Sequence, residues 1–203
     1  YVDPVARPEA RTTLDVDCVV ELTSNSARIN LETSLERFGF RHDTSDGAPL
    51  CRWIVGDIPV NVMPTDEKVL GFSNVWYGPG IANARRTVLD SGVGIRIFSP
   101  AFFLASKIQA LLNRGILDLR TSRDFEDVVF VVANNSLLLD QMRTDDREAT
   151  AFVSTQIADL LRAQDIHEAI AAHVPTGGSS HSVDRITTQL IALSALPAGS
   201  PHG

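Results

Sequence analysis

The chain has 203 residues, of which 44% are hydrophobic and 21% are charged, a composition typical of a globular protein with one compact domain or a small domain plus a helical extension. No apolar run is long enough to cross a bilayer and no signal peptide is visible, so we expect no membrane partner. The formal net charge of -7 argues against a protein that coats nucleic acid non-specifically and is compatible with a local basic groove.

The first predicted element is a strand over residues 13–22, because apolar and polar side chains alternate there with period two. Its apolar face consists of Leu14, Val16, Cys18, Val20 and Leu22. Asp15 and Asp17 lie on the other face. The two cysteines, Cys18 and Cys51, are too few for a disulfide scaffold, and we expect both to be reduced and buried, which favours a cytoplasmic location.

The rest of the front half alternates between helical and strand patterns. The predicted elements are a helix over 25–38 ending at Gly39, a hairpin of 50–55 and 58–63 turning at Gly56-Asp57, one or two helical turns within 65–71, and a second hairpin of 86–90 and 93–98 turning at Ser91-Gly92. Residues 73–85 contain Gly78-Pro79-Gly80 and are predicted to be a loop. Trp53 and Trp76 are predicted to be core or loop anchors.

From Ser99 onward the hydrophobic period becomes helical. Ser99 is predicted to cap a helix that has Pro100 at its first position and ends at Gly115. Further helices are predicted near 121–132, where a Val-Val-Phe-Val-Val run equally fits a strand, and over 145–163, 166–173 and 183–196. Residues 175–182 are a predicted Gly/Ser linker and 197–203 a disordered tail. We therefore predict an α/β core over 1–98 and a mostly helical part over 99–203.

Three groups of side chains could carry chemistry. Asp15 and Asp17 leave the same face of a strand, and a hard divalent cation would relieve their mutual repulsion. The alternative is a solvated strand face with two surface acids. Lys107 and Arg114 share one flank of the helix that follows Ser99. The acids Asp124 and Asp127, three residues apart, face the same way, although acids in a first helical turn also offset the helix dipole.

These motifs occur in a defined order along the chain. The first is Arg11-Thr12-Thr13-Leu14-Asp15-Val16-Asp17; the second is Lys107, six residues and Arg114, followed by Arg123-Asp124-x-x-Asp127. Together they resemble the D-x-D strand and the later K-x(6)-R and [KR]-D-x-x-D motifs of AbiEii/MenT-type nucleotidyltransferases, the toxins of bacterial toxin–antitoxin pairs within the DNA polymerase β-like superfamily. The resemblance covers roughly residues 11–130 and implies a mixed sheet flanked by helices.

The resemblance also implies an activity and a site. The reaction would transfer a nucleoside monophosphate from a nucleoside triphosphate to an acceptor, either tRNA or a protein, with an antitoxin as a further partner. Asp15 and Asp17 would bind Mg²⁺ or Mn²⁺, and Lys107 would contact the triphosphate. The remaining implied site residues are Asp124 and Asp127 as supporting acids and Arg11, Arg114 and Arg123 as substrate contacts.

Two positions depart from the family's pattern. Asn61 occupies the expected place of a third metal-binding carboxylate, and asparagine is neutral and cannot act as a base. The family's phosphate-binding glycine turn has no counterpart, since none of the 14 residues before Asp15 is glycine and Gly177-Gly178 lies in the predicted linker. An upstream segment would have to supply it. The open alternatives are an active nucleotidyltransferase, a degenerate binding module of the same fold, and an unrelated α/β domain.

Overall fold

A computed structural model of the protein describes residues 2–3, 15–22, 24–115, 118–174 and 180–197. The architecture is mixed α/β with a helical C-terminal part, as predicted. The described residues form two compact units: one includes residues 15–83, and the other runs from Ala84 onward and includes residues 2–3. The contacts thus divide the chain after Asn83, earlier than the boundary predicted after residue 98. No helix in the described ranges is long and apolar enough to span a membrane.

The first unit, residues 15–83, is built around a four-stranded sheet with the order β1-β4-β3-β2. Its strands are β1 (Val16–Val20), β2 (Arg41–His42), β3 (Arg52–Val55) and β4 (Ile58–Pro64), and its helices are α1 (Asn25–Arg37), α2 (Glu67–Leu70) and α3 (Tyr77–Ala82). β1 pairs with β4 in parallel, whereas β3 pairs antiparallel with both β4 and β2. The hairpin predicted at Gly56-Asp57 is therefore confirmed, and Gly56 has a positive φ of 57°.

One face of this sheet is covered by α1. The helix begins after Ser24, whose side chain accepts a hydrogen bond from the Ala27 N–H. Its Leu31 and Leu35 pack against a core of Trp53, Val60 and Val62. Two apolar residues of this segment are exposed: Ile29 points about 160° away from Leu31 on a helical wheel, and Phe38 lies beyond the last helical residue.

Two predictions for this unit were wrong. The segment around Gly78-Pro79-Gly80 forms helix α3 rather than a loop, because Pro79 lies in the first helical turn, where its missing N–H has no intrahelical partner. Cys18 is exposed rather than buried, because β1 is an edge strand with a single neighbour. Cys51 is buried as predicted, and Trp53 is a core residue.

The second unit is mostly helical. Its elements are β5 (Arg85–Val88), β6 (Gly94–Ile97), α4 (Pro100–Asn113), a 3-10 turn (Leu119–Thr121), α5 (Arg123–Asn134), α6 (Leu138–Thr144), α7 (Arg147–Leu160), α8 (Ile166–Ala172) and α9 (Ser180–Ser194). The β5–β6 hairpin and its turn at Gly92, with φ 82°, were predicted. α4 begins at Pro100 as predicted, although the Ser99 hydroxyl makes no capping hydrogen bond. The core lies where α4, α5, α7 and α9 pack together.

Helix α5 resolves the ambiguity between strand and helix in the valine-rich run. Ser122 caps it by accepting a hydrogen bond from the Phe125 N–H. Phe125, Val128 and Val132 recur at helical spacing and are all buried. Helix α6 was not predicted, and α9 begins inside the predicted linker 175–182, whose residues 175–179 lie outside the described part of the chain, as does the predicted tail from residue 198.

Candidate functional site

The parallel pairing of β1 with β4 brings three predicted site residues together. Asp17 lies opposite Asn61 in the strand register. The Asn61 side-chain Nδ2 donates to Asp15 Oδ2 at 3.0 Å and to Asp17 Oδ1 at 2.9 Å. Asn61 therefore faces the two carboxylates, in the orientation expected of a residue at the third-ligand position, and joins them through its amide.

A fourth residue, Arg52, completes this group and was missed by the sequence analysis. Its Nε donates to Asn61 Oδ1 at 3.0 Å, and its Nη2 donates to Asp15 Oδ2 at 3.0 Å. Arg52 lies directly opposite Asn61 in the β3–β4 register. That pairing follows from the predicted turn at Gly56-Asp57, because counting back from a two-residue turn sets Arg52 against Asn61.

We call Asp15, Asp17, Asn61 and Arg52 the sheet cluster. It is graded in exposure: Asn61 is buried, the side chains of Arg52 and Asp15 are 26% and 35% exposed, and Asp17 is exposed. Two carboxylates and one guanidinium leave one formal negative charge unbalanced. Within the described residues, Asp17 has no basic partner and its Oδ2 accepts no hydrogen bond. Asp17 is therefore the part of the cluster most open to a cation.

The donor chemistry of the sheet cluster fits a hard divalent cation. Mg²⁺ prefers oxygen ligands and commonly uses one or two carboxylates together with substrate phosphates. Among the described residues there is no group of three His, Cys, Asp or Glu side chains that could hold a metal ion. A cation here would be held by Asp15 and Asp17, with Asn61 Oδ1 as a neutral third ligand once it no longer accepts from Arg52.

The second unit contains the other predicted residues, which we call the helical cluster: Lys107, Arg114, Asp124 and Asp127. Lys107 Nζ on α4 lies 2.7 Å from Asp127 Oδ2 and 3.8 Å from Asp124 Oδ1. Arg114, which follows α4, pairs with Asp124 Oδ2. Asp124 is buried at the start of α5. The formal charges of these four side chains cancel.

The structure thus groups the predicted residues into two sets, one in each compact unit. Arg123, at the first position of α5, is exposed and makes no ion pair with another residue of the described ranges. Arg11 lies outside the described residues, so its predicted substrate contact stays a prediction. The main addition from the structure is Arg52, which the motifs did not include.

The two cysteines of the first unit report on the charge near the sheet cluster. Partial desolvation of the thiol and, secondarily, the carboxylate of Asp17 raise the pKa of Cys18. Burial is also the main cause that raises the pKa of Cys51, with smaller contributions from Asp17 and Asp15. Neither thiol is therefore activated as a nucleophile.

Comparisons with protein-family models, with curated proteins and with solved structures give no match. The likeness to AbiEii/MenT-type nucleotidyltransferases therefore rests on the motifs of this chain alone. Function has to be argued from the geometry and charge of the two clusters.

Proposed function

We propose that this chain is a metal-dependent nucleotidyltransferase-like protein in which Asp15 and Asp17 bind the divalent cation of a nucleoside triphosphate. The observation that carries the proposal is the unbalanced charge of the sheet cluster: Asp17 is exposed and has no basic partner within the described residues, beside a half-exposed Asp15. Two carboxylates held on one side of a strand cost free energy through repulsion, and a bound cation removes that cost.

The proposed reaction transfers a nucleoside monophosphate to tRNA or to a protein acceptor. An acceptor oxygen attacks the α-phosphorus, the bond to the bridging oxygen breaks, and pyrophosphate leaves. A bound Mg²⁺ or Mn²⁺ would supply charge neutralisation at the phosphate oxygens. Asp15 and Asp17 would position the substrate through that ion. The biological role that goes with this chemistry is a toxin neutralised by an antitoxin.

A second candidate, a catalytically weak binding module of the same fold, is favoured by the hydrogen bonds around Asp15. Both Asn61 and Arg52 donate to its Oδ2, so positive partial charge already occupies the place of a cation. Asn61 also replaces the carboxylate that would bring a third negative charge. In the second unit, Lys107 is already paired with Asp127 at 2.7 Å.

The metal site is tested by thermal unfolding with and without Mg²⁺ and nucleoside triphosphate. A ligand that binds only the folded state raises the melting temperature, so the parent protein should gain stability. The double substitution Asp15→Ala with Asp17→Ala should abolish this gain. The matched control is Glu36→Ala with Asp46→Ala, which removes two exposed acids from the same unit and should keep the gain. An equal gain in both double variants would refute the site.

Enzyme and binding module are separated by a transfer assay with radiolabelled triphosphate on bulk tRNA and on candidate proteins. Labelling that disappears in the Asp15→Ala, Asp17→Ala variant identifies an active transferase. A ligand-dependent rise in melting temperature without any labelling identifies the binding module. We expect weak binding and poor transfer, because Arg52 and Asn61 already donate to Asp15 Oδ2 and a cation would have to displace these charge-assisted bonds, worth about 1.5–3 kcal/mol each.

A further inference from the structure

We propose that Arg52 is an internal counter-ion that occupies the sheet cluster in the metal-free protein and must leave Asp15 before a divalent cation binds there. The inference rests on the proposed function, since it concerns the same carboxylate pair, and it assigns the control of metal affinity to a residue outside the predicted motifs. Arg52 would act as a metal-sensitive switch between two sets of partners.

The first set of partners is visible in the hydrogen bonds. Arg52 Nη2 and Asn61 Nδ2 converge on one oxygen, Asp15 Oδ2, each at 3.0 Å. The Arg52 Nε bond to Asn61 Oδ1 fixes the amide so that its Nδ2, and not its oxygen, points at the carboxylates. A cation that takes Asn61 Oδ1 as a ligand needs the reverse amide orientation, and one that takes Asp15 Oδ2 needs that oxygen without donors. Both conditions require Arg52 to move away.

The second partner is Asp43, on the other side of Arg52. The Asp43 N–H donates to the Arg52 carbonyl oxygen at 3.1 Å, which continues the antiparallel β2–β3 register by one residue. Residues opposite each other in such a register project from the same face. Asp43 Oδ1 accepts hydrogen bonds from the Ser45 N–H and from the Ser45 hydroxyl. The hydrogen bonds from Ser45 are the main cause that lowers the pKa of Asp43. The positive charge of Arg52 is a smaller cause that lowers this pKa as well.

Arg52 therefore has an acid on either side: Asp43 lies opposite it in the β2–β3 register, and Asp15 accepts from its Nη2. Its side chain is only 26% exposed, so it exchanges one acidic partner for another more readily than for bulk water. Moving to Asp43 would keep the guanidinium paired while the carboxylates receive the metal. The fold thus supplies both a place to hold the counter-ion and a place to release it.

The test is Mn²⁺ binding by calorimetry, without nucleotide, on the parent and on Arg52→Met, which keeps the apolar stem of the side chain and removes its charged guanidinium group. We expect Arg52→Met to bind Mn²⁺ at least about tenfold more tightly, the equivalent of one charge-assisted hydrogen bond. Arg37→Met is the matched control, because Arg37 is an exposed arginine at the end of α1 in the same unit, and its affinity should stay close to that of the parent.

Asp43→Asn provides a second variant at a surface position, in case Arg52→Met fails to fold. It removes the charge that receives Arg52, so Mn²⁺ should bind about two- to threefold more weakly than to the parent. Equal Mn²⁺ affinity in the parent, Arg52→Met and Asp43→Asn would overturn the switch and leave the metal site standing. Absence of Mn²⁺ binding in both the parent and Arg52→Met would overturn the switch and the proposed function together. Binding that appears only in Arg52→Met would support the switch.

Discussion

The sheet cluster and the helical cluster each contain two carboxylates at motif positions, yet they balance charge differently. In the helical cluster, Asp124 is buried and the formal charges of Lys107, Arg114 and the two acids cancel. In the sheet cluster, Arg52 matches only one of two acids, and Asp17 stays exposed. The difference teaches that carboxylates at motif positions can have different electrostatic surroundings. The proposed cation site rests on the unbalanced charge at Asp17, and the helical cluster has no such imbalance.

The comparison predicts the largest loss of stability in the helical cluster. Asp124→Asn removes the carboxylate that pairs with Arg114. It also weakens the electrostatic attraction that acts on the partly buried Lys107. We expect the free energy of unfolding to fall by about 2–3 kcal/mol, because the buried Asp124 side chain loses its charge-assisted bond to Arg114 and its attraction to Lys107. Denaturant unfolding measures this change.

The control for that measurement is Asp140→Asn. Asp140 forms an exposed pair with Arg143 three residues away, with both side chains more than half exposed. Such surface pairs contribute about 0–1 kcal/mol. If Asp124→Asn cost no more than Asp140→Asn, the helical cluster would not be a structural network, and the contrast between the clusters would fail.

A smaller effect is expected from giving the sheet cluster a third carboxylate. Asn61→Asp replaces the donor that joins Asp15 and Asp17 with another anion. The metal-free protein should lose about 2 kcal/mol of stability at neutral pH, through two lost charge-assisted bonds and added repulsion, partly offset by a closer pairing with Arg52. Added Mn²⁺ should restore stability, because a third oxygen anion joins the site.

Thermal unfolding with and without Mn²⁺ measures this prediction, with Asn30→Asp as the control. Asn30 is exposed on α1 in the same unit, so the same chemical change there should be nearly neutral and insensitive to Mn²⁺. A metal-free Asn61→Asp protein as stable as the parent would mean that Asn61 does not join the two carboxylates in solution.

The smallest effect concerns the thiol beside Asp17. Because the Asp17 carboxylate contributes to the raised pKa of Cys18, Asp17→Asn should lower that pKa and increase the thiolate fraction at pH 8. We expect alkylation of Cys18 by iodoacetamide to become about two- to threefold faster. Mass spectrometry separates Cys18 from the buried Cys51. An unchanged rate would show that Asp17 does not carry its charge next to this thiol.

Much of the fold could be predicted because glycine and serine residues mark the ends of many of its helices and strands. Gly56 and Gly92 adopt positive φ in the two hairpin turns, and Gly39 and Gly115 do so where helices end. Ser122 accepts a hydrogen bond from the first turn of α5 and so marks the beginning of that helix. The valine-rich run that follows fits either a strand or a helix when it is considered alone. The packing of that run against α4 and α9 decides for a helix, and packing is not a local signal.

The parts that escaped prediction depend on partners distant in the chain. Glycine and proline in α3 masked a helix whose first turn tolerates both. Cys18 was expected in the core because the alternating pattern does not reveal that β1 is an edge strand. The Arg52 contact to Asn61 was within reach, since the hairpin register implies it. The Arg52 contact to Asp15 was not, because it requires β1 to pair with β4.

The parallel pairing of β1 with β4 also sets the order in which the sheet cluster assembles during folding. Arg52 and Asn61 are nine residues apart across a hairpin, whereas Asn61 and Asp17 are 44 apart and separated by α1. Local hairpins form early, and pairings that close long loops form late. We therefore expect the positive and amide half of the cluster to be in place before the aspartate strand docks. The two carboxylates, which are neighbours on one segment, would then dock where a positive charge is already in place, and β1 would be the last strand to join the sheet.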